Sequence, residues 1–280
     1  MTRGGASALA AALLLTGCES EGAGTVAPEK VEPPADAPTA GPRIDLRHRA
    51  LMLRFHEARG HRGRIDEFVN SGVAPLKIEA VTFGPGTVEA SRSPRGQAVR
   101  FPAYSAAGVK YAIIKVSNVG GYDTLRPNQA DFTFGADFNL DRVSDGSSSD
   151  NGDNLVQRGL FESPSQYKIQ VDHGVVTCAI RGMGGQVELK AHSPVQPGSW
   201  YRVRCTRRGD GVRLAVAPLG PDGVTDWEVV RRSGPIGPVI GPQDTPLSIG
   251  GKLGQDGSLF PASTDQFNGR VTRVFYRILH

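Results

Sequence analysis

The chain has 280 residues, a formal net charge of +4 and 39% hydrophobic residues, which is enough for one substantial hydrophobic core. A net charge this small does not indicate a nucleic acid as the partner.

The first 18 residues are predicted to be a signal peptide rather than part of the fold. Arg3 precedes a run of small and apolar residues, which is shorter than the about 20 residues that span a bilayer. The run leads into Leu15-Thr16-Gly17-Cys18, which resembles the lipobox of bacterial lipoproteins. The resemblance implies that the Cys18 thiol is acylated, and we expect a lipid anchor in the cell membrane that faces the extracellular side. The alternative is a secretory peptide with an incidental cysteine.

The segment 19–43 contains five prolines, five acidic residues and no aromatic residue. It offers too little apolar surface to fold, so we predict a disordered tether. Residues 44–280 then form a single folded domain. Arginine outnumbers lysine 25 to 7, which we interpret as the mark of a GC-rich genome such as that of an actinobacterium.

Two cysteines, Cys178 and Cys205, remain for the exported domain once Cys18 is acylated. Both lie in strand-like runs, and an even set in an exported chain predicts a disulfide. A bridge between them closes a loop of 28 residues, worth about 3–4 kcal/mol on the chain-entropy argument. The alternative is a pair of buried free thiols. Zinc is not favoured, because two thiolates and the nearby His173 fall short of four ligands.

The folded part shows many short strands separated by turn residues. From Phe132 to Leu140 apolar and polar residues alternate, as in a half-buried strand. Asp172-His173-Gly174 and Gly209-Asp210-Gly211 each separate two strand-like runs and predict hairpins. Further strands are predicted at 51–55, 98–101, 111–116, 155–159, 247–249 and 267–278. The absence of any long helical period predicts an all-β, antiparallel β-sandwich.

Short motifs from Leu51 onward resemble those of a known family. They are Arg95-Gly96-Gln97-Ala98-Val99-Arg100-Phe101, Asn154-Leu155-Val156-Gln157-Arg158-Gly159, Gly198-Ser199-Trp200-Tyr201-Arg202-Val203, Pro246-Leu247-Ser248-Ile249-Gly250-Gly251 and Phe267-Asn268-Gly269-Arg270-Val271. Their order is similar to that of the laminin G-like (concanavalin A-like) jelly roll. The last strand departs from the family, since Thr272 and Arg273 stand where carboxylates often help to bind a structural calcium ion.

An acidic loop is the remaining candidate for a metal site. Asp145, Asp150 and Asp153 lie among serine, asparagine and glycine residues. Oxygen ligands on a flexible loop suit Ca²⁺ better than Mg²⁺. The same residue types also fill ordinary solvated loops.

A basic surface is the candidate ligand site. Arg202 and Arg204 are expected to project from one face of a strand, and Arg207 follows them. Arginine forks match carboxylate and phosphate groups, so these three arginines are the predicted contacts for an anionic polysaccharide. Further positive charge comes from Arg208, Arg231, Arg232, Arg270, Arg273 and Arg277. The alternative is a solvated strand face.

By analogy with the fold, the predicted function is a non-catalytic binding module for carbohydrate or an envelope protein. A polysaccharide-degrading enzyme is the first alternative, but no Glu-x-Asp-x-x-Glu pattern supplies the carboxylate pair of a retaining glycosidase. The residues that a lyase would use are scattered in sequence: Tyr111, Tyr122, Tyr167, His173 and His192. The second alternative is a structural component of an envelope complex.

Overall fold

The structure is a computed structural model that describes residues 49–55, 59–61, 63–105, 110–146, 152–260 and 265–279, with the backbone alone described at 59–61. All of these residues belong to the compact unit Ile44–His280. The predicted signal peptide and tether lie outside the described residues. Within the described ranges, no helix is long and apolar enough to cross a membrane.

Eighteen strands account for the regular structure. They are β1 (Leu51–Leu53), β2 (Arg59–His61), β3 (Arg64–Glu67), β4 (Leu76–Phe83), β5 (Glu89–Ser93), β6 (Gly96–Arg100), β7 (Tyr111–Asn118), β8 (Phe132–Leu140), β9 (Asp153–Arg158), β10 (Gln166–Asp172), β11 (Val175–Gly182), β12 (Gly185–Lys190), β13 (Trp200–Arg208), β14 (Gly211–Gly220), β15 (Gly223–Val224), β16 (Glu228–Ser233), β17 (Leu247–Ile249) and β18 (Gly269–Ile278).

Every described strand pairing is antiparallel, and the strands form two layers. The front sheet has the order β16–β14–β13–β8–β18, and β18 is flanked on its far side by β6 and β1. The back sheet has the order β12–β11–β10–β9–β17–β7–β4. At one edge, β3 pairs with β4 of the back sheet and also with β5. Because β5 pairs with β6 of the front sheet, the two layers are connected there. The prediction of an all-β antiparallel β-sandwich is confirmed.

The alternation along β8 places its aromatic side chains between the sheets. Phe132, Phe134 and Phe138 are fully buried there. The rings of Phe132 and Phe134 lie 5.3 Å and 5.0 Å from the ring of Tyr167 in the back sheet. A fully buried ring of this kind contributes about 2–3 kcal/mol. The opposite face of β8 therefore carries its polar residues away from the core, to the outside of the front sheet.

The disulfide is confirmed, and it crosses the sandwich. Cys178 lies in β11 of the back sheet and Cys205 in β13 of the front sheet, with a Cα–Cα distance of 6.3 Å. Both residues are fully buried. The bridge therefore ties one layer to the other.

The predicted hairpins are also confirmed. The β10–β11 turn places His173 at φ 49° and Gly174 at φ 77°, the pair of positive values that a tight two-residue hairpin turn requires. The β13–β14 turn has Gly209 at φ 54°. This second hairpin carries β13 and β14 side by side into the front sheet, where the candidate site lies.

Candidate ligand-binding site

A groove with a volume of about 510 Å³ lies on the outer face of the front sheet. Its lining is dominated by arginine. The arginines are Arg49, Arg202, Arg204, Arg208, Arg213, Arg231, Arg232, Arg273 and Arg277. We call this site the arginine groove. Asp137 is the single carboxylate among the described residues that line it.

The strand register explains why distant arginines meet. Arg213 of β14 lies opposite Thr206 of β13 on one side and Arg231 of β16 on the other. Arg204 of β13 lies opposite Gly135 of β8. Adjacent strands are about 4.8 Å apart, so guanidinium groups from three strands share one surface. No sequence motif connects these residues, because the strand order brings them together.

Asp137 is buried and already neutralised. Arg202 donates to it in a bidentate pair, with Nε at 2.6 Å from Oδ1 and Nη2 at 2.7 Å from Oδ2. The hydrogen bond to Asp137 raises the pKa of the Arg202 guanidinium. Arg273 also approaches, with Nε 3.6 Å from Oδ2 of Asp137. The only carboxylate of the described groove thus compensates about one of its nine positive charges.

The remaining cations repel one another. Burial, followed by repulsion from Arg213 and Arg202, lowers the pKa of the Arg204 guanidinium. Burial and the charge of Arg202 lower the pKa of Arg273 in the same way. Among the described residues, no carboxylate pairs with Arg204, Arg213 or Arg231. An anionic ligand would relieve this repulsion.

Arg273 occupies a strained backbone position in the groove. The register of β18 against β8 shifts between Thr272 and Phe275, which marks a β-bulge. Within the bulge, Arg273 has φ 50°, a left-handed conformation that costs a non-glycine residue about 1 kcal/mol or more. Bulges of this kind re-aim side chains next to functional sites. The bulge directs Arg273 toward Asp137 and the groove.

Arg273→Gly is expected to raise the free energy of unfolding by about 1 kcal/mol, because glycine adopts a positive φ without strain. The matched control is Arg277→Gly, at a regular position of the same strand, which should instead lower the free energy of unfolding by about 1 kcal/mol. Denaturant unfolding of both variants and the parent measures the difference. Equal losses in the two variants would show that the bulge stores no strain.

The floor of the groove is partly aromatic. The Phe275 ring lies across Gly135, since a Cβ on that glycine would fall 3.0 Å from the ring and 2.2 Å from the Val203 carbonyl oxygen. At the side of the groove, the Arg204 guanidinium lies 5.7 Å from the ring centre of Trp227. Aromatic faces beside cationic groups suit a ligand with both apolar ring faces and acidic groups.

The structure separates the three predicted ligand contacts. Arg202 and Arg204 line the groove, as their shared face indicates. Arg207 has the opposite parity in β13 and is 4% exposed. It donates from Nε to the Gly209 carbonyl oxygen at 2.7 Å and from Nη1 to that of Asn128 at 3.5 Å. Arg207 therefore braces loops, and its neighbour Arg208 faces the groove instead.

Two of the three predicted calcium ligands can be located. Asp153 is 1% exposed, and its Oδ1 accepts the backbone N–H of Asn268 at 3.0 Å. Asp145 is exposed, and its Oδ2 lies 3.3 Å from Nη2 of Arg142. Asp150 lies outside the described residues. Among the residues that are described, no group of three His, Cys, Asp or Glu side chains could hold a metal ion, and the calcium loop stays a prediction.

Arg49 and Arg213 were not predicted as members of the basic surface, and Asp137 was covered only as one of the polar residues of the predicted strand from Phe132 to Leu140. Arg213 follows Val212 with strand alternation, so its outward face could have been predicted, although its neighbours in the sheet could not. Arg270, by contrast, lies outside the groove and donates to Asn139 Oδ1 at 2.9 Å.

Several solved structures and one family model match the chain. Among solved structures, the binding domain of Paraclostridial Mosquitocidal Protein 1 aligns with a TM-score of 0.51 at 12% identity, over 84% of this chain and 51% of that chain. The botulinum neurotoxin serotype G binding domain aligns with a TM-score of 0.48 at 7% identity, over 83% and 48%. A heptameric SAP-like pentraxin from Limulus polyphemus aligns with a TM-score of 0.42 at 12% identity, over 68% of this chain and 80% of the pentraxin chain.

The chain spans about half the length of the two toxin domains that it matches. No curated protein matches the sequence. At 12% identity the first likeness shows the fold alone. Residues 154–277 match the family model described as the Laminin G domain, a span that includes the motifs from Asn154 onward on which the resemblance was based.

Proposed function

We propose that the folded domain is a non-catalytic binding module that holds an anionic polysaccharide in the arginine groove. The observation that carries the proposal is the charge of the groove, where nine arginines face one carboxylate that Arg202 already pairs. Guanidinium groups bind carboxylate and phosphate groups through two parallel hydrogen bonds. Phe275 adds an apolar surface for the sugar ring that lies between the acidic groups.

Binding of the purified full chain to three polymers tests the proposal: a polyuronic acid, a polyol phosphate polymer and a neutral glucan. We expect the two acidic polymers to bind and their affinity to fall steeply as salt is raised, because exposed charge pairs are screened. The neutral glucan should not bind. The proposal would be contradicted if the neutral glucan bound as tightly as the acidic polymers, or if the affinity for the acidic polymers did not change with the salt concentration.

The groove gives less support to a glycoside hydrolase. Hydrolases of either stereochemistry use two carboxyl groups that flank the scissile bond. The described part of the groove offers only Asp137, which is buried and held by Arg202. A partner protein of the envelope that presents an acidic surface would satisfy the same arginines, and competition by the acidic polymers in a pull-down distinguishes the two.

The module is proposed to be held on the extracellular side of the cell membrane by an acyl group on Cys18. The lipobox resemblance supports this, and the disulfide between Cys178 and Cys205 agrees with an oxidising compartment.

Cys18→Ser is expected to abolish incorporation of labelled palmitate and to release the protein from cells, because two or three acyl chains hold a protein far more firmly than one or none. The fold should be unaffected, since the Cys178–Cys205 bridge does not involve the replaced residue. Radiolabel in the purified protein and the amount in the medium are the measurements. Continued labelling of the Cys18→Ser protein would disprove the anchor.

A further inference from the structure

The large apolar side chains that the fold leaves exposed gather at one end of the sandwich. We call it the entry end, because β1 begins there, beside the last residues of β18, and the described chain enters there at Arg49. Of the ten large hydrophobic residues that are exposed in the described chain, seven lie in loops at the entry end. Two of the seven precede β4, and the other five are Val119, Tyr122, Phe161, Met183 and Ile240. We call these five residues the apolar rim.

The apolar rim follows the edge of the back sheet. Its residues lie in the loops that leave β7, β9 and β11 and the loop that leads into β17. Those strands and β10 are consecutive neighbours in the order β7–β17–β9–β10–β11. The four spacings between these five strands, of about 4.8 Å each, place the rim residues along a row about 19 Å long. Phe161 is 74% exposed, and Tyr122 and Met183 are 63% and 62% exposed.

Hydrogen bonds hold the loops of the apolar rim in place. The Val119 N–H donates to the Pro75 carbonyl oxygen at 3.0 Å, and the Met183 N–H donates to that of Pro238 at 2.9 Å. The Gln243 side chain donates to the Gly121 carbonyl oxygen at 2.8 Å. Because the loops are fixed to one another, the exposed side chains need little ordering when they contact a partner.

The charges beside the apolar rim are mixed. Arg181 lies 4.8 Å from the Phe161 ring centre, and the neighbouring Glu162 and Asp244 are exposed. The rim thus differs from the arginine groove, where one sign of charge dominates. A partner of the rim should therefore be recognised by its apolar character rather than by charge.

We propose that the apolar rim inserts into the surface of a lipid bilayer. Single apolar side chains on separate loops, with tyrosine and phenylalanine among them, suit the boundary between head groups and acyl chains. The choice of a bilayer rests on the proposed acyl anchor, since the chain that leads from Cys18 enters the domain at this same end. Insertion of the rim places the entry end on the membrane.

Full chains that all carry Cys18→Ser test insertion without acylation, by sedimentation with phosphatidylcholine vesicles. Against this parent we compare a rim variant, Tyr122→Ser with Phe161→Ser and Met183→Ser, and a control, Phe83→Ser with Val143→Ser, whose exposed side chains lie at the end of β4 and just after β8, at the opposite end of the sandwich. All three proteins share the N-terminal segment. We expect the rim variant to lose about tenfold or more in its vesicle partition coefficient, the control to match the parent, and salt to have little effect on any of them.

Equal partitioning of the rim variant and the parent would overturn insertion, and so would a parent that does not bind the vesicles. A rim variant that changes self-association in sedimentation velocity, without a change in vesicle binding, would assign the rim to a protein contact and also overturn the proposal. The vesicles carry no net charge, and the Cys18→Ser chains carry no acyl group. A negative result would therefore count against insertion of the rim without counting against polysaccharide binding in the arginine groove or acylation of Cys18. Thermal unfolding verifies that the variants are folded.

Discussion

Replacing Arg204, Arg213 and Arg231 together by alanine is expected to weaken binding of an acidic polysaccharide by about a hundredfold or more, since each charge-assisted hydrogen bond contributes about 1.5–3 kcal/mol. The three residues lie on β13, β14 and β16, and the register places Arg213 directly opposite Arg231. The slope of affinity against salt should flatten at the same time. Titration of the full chain and the variant with a polyuronic acid at several salt concentrations measures both effects.

The matched control removes the same charge elsewhere. Arg64, Arg92 and Arg95 are exposed and lie outside the groove, so the triple alanine variant at these positions should keep its affinity within about twofold, because screened charges at a distance contribute little. The groove variant should not lose folding stability, because removing the three arginines ends the burial and the mutual repulsion of cations that together lower the pKa of Arg204. A similar loss of affinity in both variants would mean that net charge, rather than the groove, attracts the polymer.

The face from which each side chain of a strand projects could be predicted from the sequence, whereas the order of the strands in the sheet could not. Alternation along β13 places Arg202 and Arg204 on one face and Val203 and Cys205 on the other, and the structure confirms it. The same alternation assigns Arg207 to the inner face, so its burial was open to prediction. Arg213 and Arg231 join the groove only through the order β13–β14–β16, which no local pattern contains.

Several strands with a clear apolar alternation were predicted, but β4 (Leu76–Phe83) and β12 (Gly185–Lys190) were missed, although apolar and polar residues alternate in β12 and in the first half of β4. β8 was predicted as a half-buried strand in this region, and the structure places it at Phe132–Leu140 but buries all nine of its residues. β5 (Glu89–Ser93) was missed because it has no large apolar residue. β16 (Glu228–Ser233) was missed as well, and it ends in two arginines and a serine that are exposed at the edge of the front sheet. Such strands are held by their neighbours rather than by their own pattern.

The departure at Thr272 and Arg273 has a structural counterpart. Where the resembling family often carries carboxylates for calcium, Thr272 donates to the Gln97 carbonyl oxygen at 2.7 Å. Arg273 turns into the groove through the bulge. Arg273 adds positive charge to the groove at this position, which agrees with the proposed anionic ligand.

Arg158→Met is expected to lower the free energy of unfolding by about 3–5 kcal/mol, because it leaves a buried carboxylate without its cation. Arg158 Nη2 lies 2.6 Å from Asp123 Oδ2, and the two side chains are 5% and 2% exposed. Arg158 also donates from Nε to the Thr245 carbonyl oxygen at 2.9 Å. The pair therefore joins β9 to the loops that carry Tyr122 and Ile240, and its loss should loosen the apolar rim.

Denaturant unfolding measures the stability, and hydrogen exchange in 119–131 and 240–246 measures the loosening of the loops. The control is Asp66→Asn, which breaks the exposed Arg64–Asp66 pair of the same 2.6 Å length and should change the free energy of unfolding by no more than about 0.5 kcal/mol. Adding Asp123→Asn to Arg158→Met should recover part of the loss, because an uncharged amide costs less to bury than an unpaired carboxylate. If Arg158→Met cost no more than Asp66→Asn, the buried pair would not be what holds these loops together.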